Sequence, residues 1–178
     1  MGIYLVSTSH DDWADDEVFR PTALALDAEL TRRGLPTFTF FPGRTFEEKL
    51  YRPMAGFDRL CRSLTPDQSP LDWDLLLPVD LPDTLVLPVP SSYSDTTTVR
   101  AALPVLHGAR ALAATIELPV EHLPTDCANL DLCAWFDSPA VSRYPGPWQD
   151  DLDTAFYTAL YLRAAEHALR EGCPMHYS

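Results

Sequence analysis

The chain has 178 residues, 46% hydrophobic and 22% charged, a balance that supports a folded core and excludes a disordered chain. Acidic residues outnumber basic ones 26 to 13, and the net charge of -13 repels nucleic acid and anionic membrane surfaces at long range. Apolar runs such as LLLPV are far shorter than the roughly 20 residues that cross a bilayer, and the N-terminus lacks the basic residues of a secretion signal. The expectation is a soluble, cytoplasmic chain forming a single α/β, or α+β, domain over residues 1–178.

GIYLVSTS (Gly2 to Ser9) is a β-prone run without helical spacing and reads as the first strand. The acidic HDDWADDE follows, and from about Asp15 the spacing turns helical. Pro21 marks the start of the regular helix, Leu24, Ala28 and Thr31 share a face, and Gly34 with Pro36 closes it. TFTFF (Thr37 to Phe41) is β-branched and aromatic, so it reads as a second strand, and the β-α-β order implies parallel pairing. Thr45 with Glu48 has the spacing of a capping box, which predicts a helix from about Phe46. Pro53 interrupts it, and Met54, Phe57, Leu60, Cys61 and Leu64 continue at helical spacing to Thr65 and Pro66.

DLLLPV (Asp74 to Val79) and TLVLPV (Thr84 to Val89) flank a turn-rich DLPD and predict an antiparallel hairpin. PSSYSDTTTVR (Pro90 to Arg100) then leads into a run broken by Pro104 and Gly108, which predicts an irregular helix. IELPVEHL (Ile116 to Leu123) and NLDLCAWF (Asn129 to Phe136) are the last strand candidates, and SPAVSRYPGPW is loop. Gln149 to Glu171 has acidic residues in its first turn, apolar Leu152, Phe156, Ala159 and Leu160, and a Gly172 to Pro174 stop, so it reads as a long C-terminal helix. Together these predict a mixed sheet of about five or six short strands with helices packed on it.

Seven hydroxyl side chains fall between Pro90 and Arg100, more than a cap needs. Ser94 or Asp95 suits an N-cap, while Ser91, Ser92, Tyr93, Ser94 and Thr96 can surround a ligand at the positive end of the expected helix. Asp95 argues against a bare phosphate, because its charge competes for the same N–H groups. The acidic segment with His10 and Asp12 also follows a strand, and the two loops face one crevice if their strands are parallel neighbours. A third polar segment offers Asp126, Asn129 and Asp131 to a substrate amine or hydroxyl, with Trp135 as a wall. In an enzyme, Asp95 or Asp131 would orient or deprotonate a polar substrate and Tyr93 would donate a hydrogen bond.

Cys127, Cys133, Cys173 and His176 are the candidate metal ligands, but their spacing is wider than structural zinc sites use, and neither metal nor cofactor is expected. A chain of this size needs no disulfide staples, so all four cysteines should be reduced, Cys61 among them on an apolar stripe. No phosphate loop, dinucleotide fingerprint, nucleophile elbow or EF-hand loop is present. Two functional expectations remain: a protein that binds, or as an enzyme acts on, a small polar molecule through Asp, Tyr and Ser side chains; and an acidic inhibitor or immunity-type protein recognising a basic protein through Asp11 to Glu17 and Asp150 to Asp153.

Overall fold

The computed structural model describes residues 2–15, 17–66 and 69–178, and among them six strands form one mixed sheet. They are β1 (Ile3–Ser7), β2 (Glu47–Leu50), β3 (Leu75–Leu77), β4 (Leu85–Leu87), β5 (Thr97–Ala101) and β6 (Met175–Tyr177). The order across the sheet is β2-β1-β6-β3-β5-β4, with β3 and β5 parallel and the other neighbours antiparallel. The helices are α1 (His10–Ala14), α2 (Arg20–Arg32), α3 (Ala55–Leu64), α4 (Ala102–Thr115), α5 (Asp131–Phe136) and α6 (Leu152–Glu171). Among the described residues no helix is long and apolar enough to cross a membrane.

Side chains alternate across a strand, so the sheet feeds two cores. Leu75, Leu77, Leu85, Leu87, Val99 and Ala101 pack with Leu26 and Leu30 of α2 on one face. Leu5, Leu76 and Met175 point to the other face and join Phe57, Val105, Leu112, Phe156 and Leu160 of α3, α4 and α6. β3 is buried on both faces, which explains its unbroken LLL. The long α6 is buried on all sides from Thr154 to Ala165, and each large apolar side chain enclosed there contributes about 1.5–3 kcal/mol. It packs most extensively on α4, where Ala102, Gly108, Ala109 and Ala113 keep the facing surface low. Gly172, in the left-handed region at φ 71°, closes α6 where the Gly172 to Pro174 stop predicts.

Several sequence expectations are corrected. Residues 37–41 form no strand: Phe38 and Phe40 instead place their rings on Trp13 at 5.5 and 6.3 Å, so aromatic burial replaces ladder formation. The helix expected near Phe46 is strand β2, paired antiparallel with β1, so the parallel β-α-β unit does not form. DLLLPV and TLVLPV are not a hairpin, because β5 lies between β3 and β4 and pairs with both. β5 itself occupies the expected start of a helix; β-branched Thr97, Thr98 and Val99 fit the pleat, and α4 begins only at Ala102. Pro104 then falls in the first turn, where no intrahelical donor is needed, and α4 runs unbroken to Thr115.

Neither late strand candidate is extended. Val120–His122 is a single 3-10 turn and Asp131–Phe136 is α5, with Leu132 and Phe136 buried one turn apart. The Arg163 guanidinium holds the former segment, donating to the carbonyl oxygens of Pro124 at 2.8 Å and Val120 at 2.7 Å. The expected loop at 138–148 carries the 3-10 turn Pro139–Arg143 and the start of a second, Pro147–Asp151. Strand β6 was not expected, yet it lies between β1 and β3.

Candidate functional site

The strand directions place the ends of β4 and β6 and the beginnings of β3 and β5 along one edge of the sheet. The stretch from Pro88 to Thr96 crosses this edge between β4 and β5. Its hydroxyls build its own turns: Ser91 Oγ accepts the Ser94 N–H at 3.1 Å, Ser94 Oγ accepts the Thr96 N–H at 3.1 Å, and Thr97 Oγ1 donates to Val89 O at 3.0 Å. Ser92 Oγ reaches the carbonyl oxygen of Tyr177 at 3.4 Å. Asp95 and Thr96 are exposed, and no helix starts beside them to be capped.

Two cavities meet at this edge, one on each face of the sheet, and they share Asp74, Tyr93 and Tyr177. The smaller, of about 300 Å³, lies under the start of α2 and is lined by Phe19, Thr22, Ser91, Ser92, Thr97 and His176. The larger, of about 840 Å³ and more open, is lined by Met54, Trp73, Ser94, Thr98, Arg100 and Tyr161.

His176 bonds through Nδ1 to Thr8 Oγ1 at 2.9 Å and meets the Phe19 ring edge-on at 4.6 Å. Burial lowers its pKa from 6.5 to about 4, with Asp12 opposing, so the ring is neutral at neutral pH. Tyr177 stacks on Trp73 with centroids 4.7 Å apart, and its hydroxyl meets that of Tyr161 at 2.8 Å. Burial pushes both phenols up, so each stays protonated and able to donate. Asp74 Oδ2 accepts the Thr98 N–H at 2.7 Å, and Arg100 donates to the carbonyl oxygens of Ser69 and Leu71.

The structure brings together only part of the residues singled out from sequence. Tyr93, Ser91, Ser92 and Ser94 line the cavities, whereas Asp95 and Thr96 line neither. His10 and Asp12 line neither: His10 meets Phe40 edge-on, and Asp12 closes a capping ring with Ser9. Of the acidic segment's described residues only Glu17 lines the smaller cavity, and the strands that the two loops follow, β1 and β4, are not neighbours in the sheet. Asp126, Asn129, Asp131 and Trp135 belong to a separate corner beside β2 and line neither cavity. There Asp126 faces Arg44 at 3.4 Å, Asp131 Oδ2 accepts the N–H groups of Ala128 and Asn129, and Trp135 packs on Phe136 and Trp148.

All four cysteines are free thiols, and burial pushes them up: Cys61 and Cys173 to about 11, Cys133 to about 12, and Cys127 further. Among the described residues no group of three or more His, Cys, Asp or Glu side chains is placed to hold a metal ion, and His176 is turned to Thr8. On the acidic surface, Asp151 caps α6 through Thr154, and Asp153 pairs with Arg52 at 3.1 Å. Asp74, Trp73, Arg100, Tyr161 and Tyr177 were not anticipated as site residues. Comparison of the chain with protein-family models, curated proteins and solved structures finds no match.

Proposed function

We propose that the protein binds a small organic molecule in the cleft formed by these two cavities, with Tyr93 at its mouth. The observation that carries this reading is the shared wall. Tyr93 is 59% exposed yet lines both cavities, beside aromatic residues and a ring of hydroxyl and carboxylate groups. A concave, largely apolar surface with a few convergent polar groups is the usual form of a small-molecule site. The reading is one of binding, and Asp95 has no part in it, because it is exposed and outside both cavities.

A fragment screen by protein-observed NMR tests the assignment. Bound fragments are expected to shift the Trp73 indole and Tyr177 signals, and Tyr177→Ala should abolish the shift of the Trp73 indole. Fragments that gather instead at the Asp126 to Trp135 corner would sink it.

A further inference from the structure

Resting on that reading, the lining of the cleft also narrows the class of ligand. Among the described residues three carboxylates line it: Glu17 in the smaller cavity, Asp72 in the larger and Asp74 in both. Arg100 is the only Lys or Arg side chain among the described lining residues, and its guanidinium donates to backbone carbonyl oxygens of the 69–71 segment. Asp74 uses Oδ2 for the Thr98 N–H, while Oδ1 has no hydrogen-bond partner among the described residues. His176 adds no second cation at neutral pH, and its Nε2 likewise has no protein partner among the described residues.

The apolar lining of the larger cavity combines aromatic rings with the aliphatic Ile3 and Leu50. Trp73 stacks on Tyr177 at an interplanar angle of 26°, with Tyr161 and Met54 beside them. Aromatic faces attract organic cations, and an acceptor carboxylate at the border of such a surface orients an ammonium group. A bare metal ion suits the cleft less, because the carboxylates do not gather into a ligand set. The net charge of -13 further raises the local concentration of cations at its mouth.

We propose that the ligand is a protonated primary amine carrying an aromatic or apolar group, with its ammonium donating to Asp74 and its apolar part lying on Trp73, Tyr177 and Met54. Three probes of one shape and different charge test this: 2-phenylethylamine, 2-phenylethanol and phenylacetate, titrated at neutral pH while the Trp73 indole N–H is followed by NMR. The amine is expected to bind at least about tenfold more tightly than phenylacetate, and more weakly as salt is raised. Asp74→Asn keeps an acceptor for the Thr98 N–H, and should weaken binding of the amine far more than that of the alcohol, removing the preference for the amine. If the alcohol binds as tightly as the amine and Asp74→Asn changes neither, the amine assignment falls and the binding cleft stands. If none of the three shifts Trp73, both fall.

Discussion

The Glu48 carboxylate of β2 accepts the main-chain N–H of Leu132 at 2.7 Å, 84 positions away in sequence, and that of Cys133 at 3.2 Å. Helix α5 has no side-chain cap of its own, since Leu130 stands at its N-cap position in the left-handed region at φ 59°. Glu48 therefore supplies from another element the acceptor that a local Ser, Thr or Asp usually provides. Burial raises its pKa, and the helix N–H groups oppose that rise by stabilising the charged form.

Glu48→Ala leaves the buried Leu132 amide and the part-buried Cys133 amide without an acceptor, and is expected to cost roughly 2–4 kcal/mol in urea unfolding. Glu48→Gln keeps one carbonyl oxygen and should cost less, about 1 kcal/mol. Equal losses for the two variants would show that the carbonyl oxygen retained by Gln does no capping, and would refute the hydrogen-bonded cap.

Arg163, 7% exposed, donates to the carbonyl oxygens of Pro124, Val120 and Leu123 and pairs with Glu166 at 2.7 Å. Lys cannot reproduce this planar fork, so Arg163→Lys should destabilise the protein by about 2–3 kcal/mol. Amide exchange from Val120 to Cys127 should quicken more than exchange in β3, and uniform quickening would contradict a local role.

Because burial holds His176 neutral in the fold, its unfolded form takes up a proton first as pH falls from 6.5. Its contribution to stability is complete above pH 6.5 and is lost as pH falls towards about 4, amounting to about 2–3 kcal/mol. His167, also lowered by burial, loses stability in the same direction. Chemical denaturation across this range should show a shallower decline for His176→Gln than for the parent, and parallel curves would refute the assignment.

Three buried thiols, with the partly buried Cys133, predict slow chemistry. At pH 8 a water-soluble disulfide reagent should label the native protein far more slowly than the urea-unfolded chain, which should yield all four cysteines. Rapid native labelling of Cys127 or Cys173 would mean that these side chains open to solvent.

Legibility in sequence followed the reach of the interactions. β1, α2, α3 and α6 were readable because periodicity and stop signals are local. β5 was hidden because Ala101 passes directly into α4, so a β-branched run and a helical run share one unbroken segment. The Thr45 and Glu48 pair suggested capping, and Glu48 does cap a helix, but one brought to it by the fold. In the site, Tyr93 and its serines stood out as polar residues beside an apolar run. Trp73, Tyr161 and Tyr177 did not, because aromatic residues read as core until β6, only three residues long, is seen to carry Tyr177 to the edge.

The place of β6 has a consequence for how the cleft comes into being. Among the described residues, β2-β1 and β3-β5-β4 are two separate ladders that meet only through β6. Thr8 and His176, which bond to each other here, are 168 positions apart, so this closure is a long-range one that carries loop-closure entropy. His176 and Tyr177 are also lining residues of the cleft. A chain whose last strand is undocked thus has neither a continuous sheet nor the His176 and Tyr177 walls of the cleft.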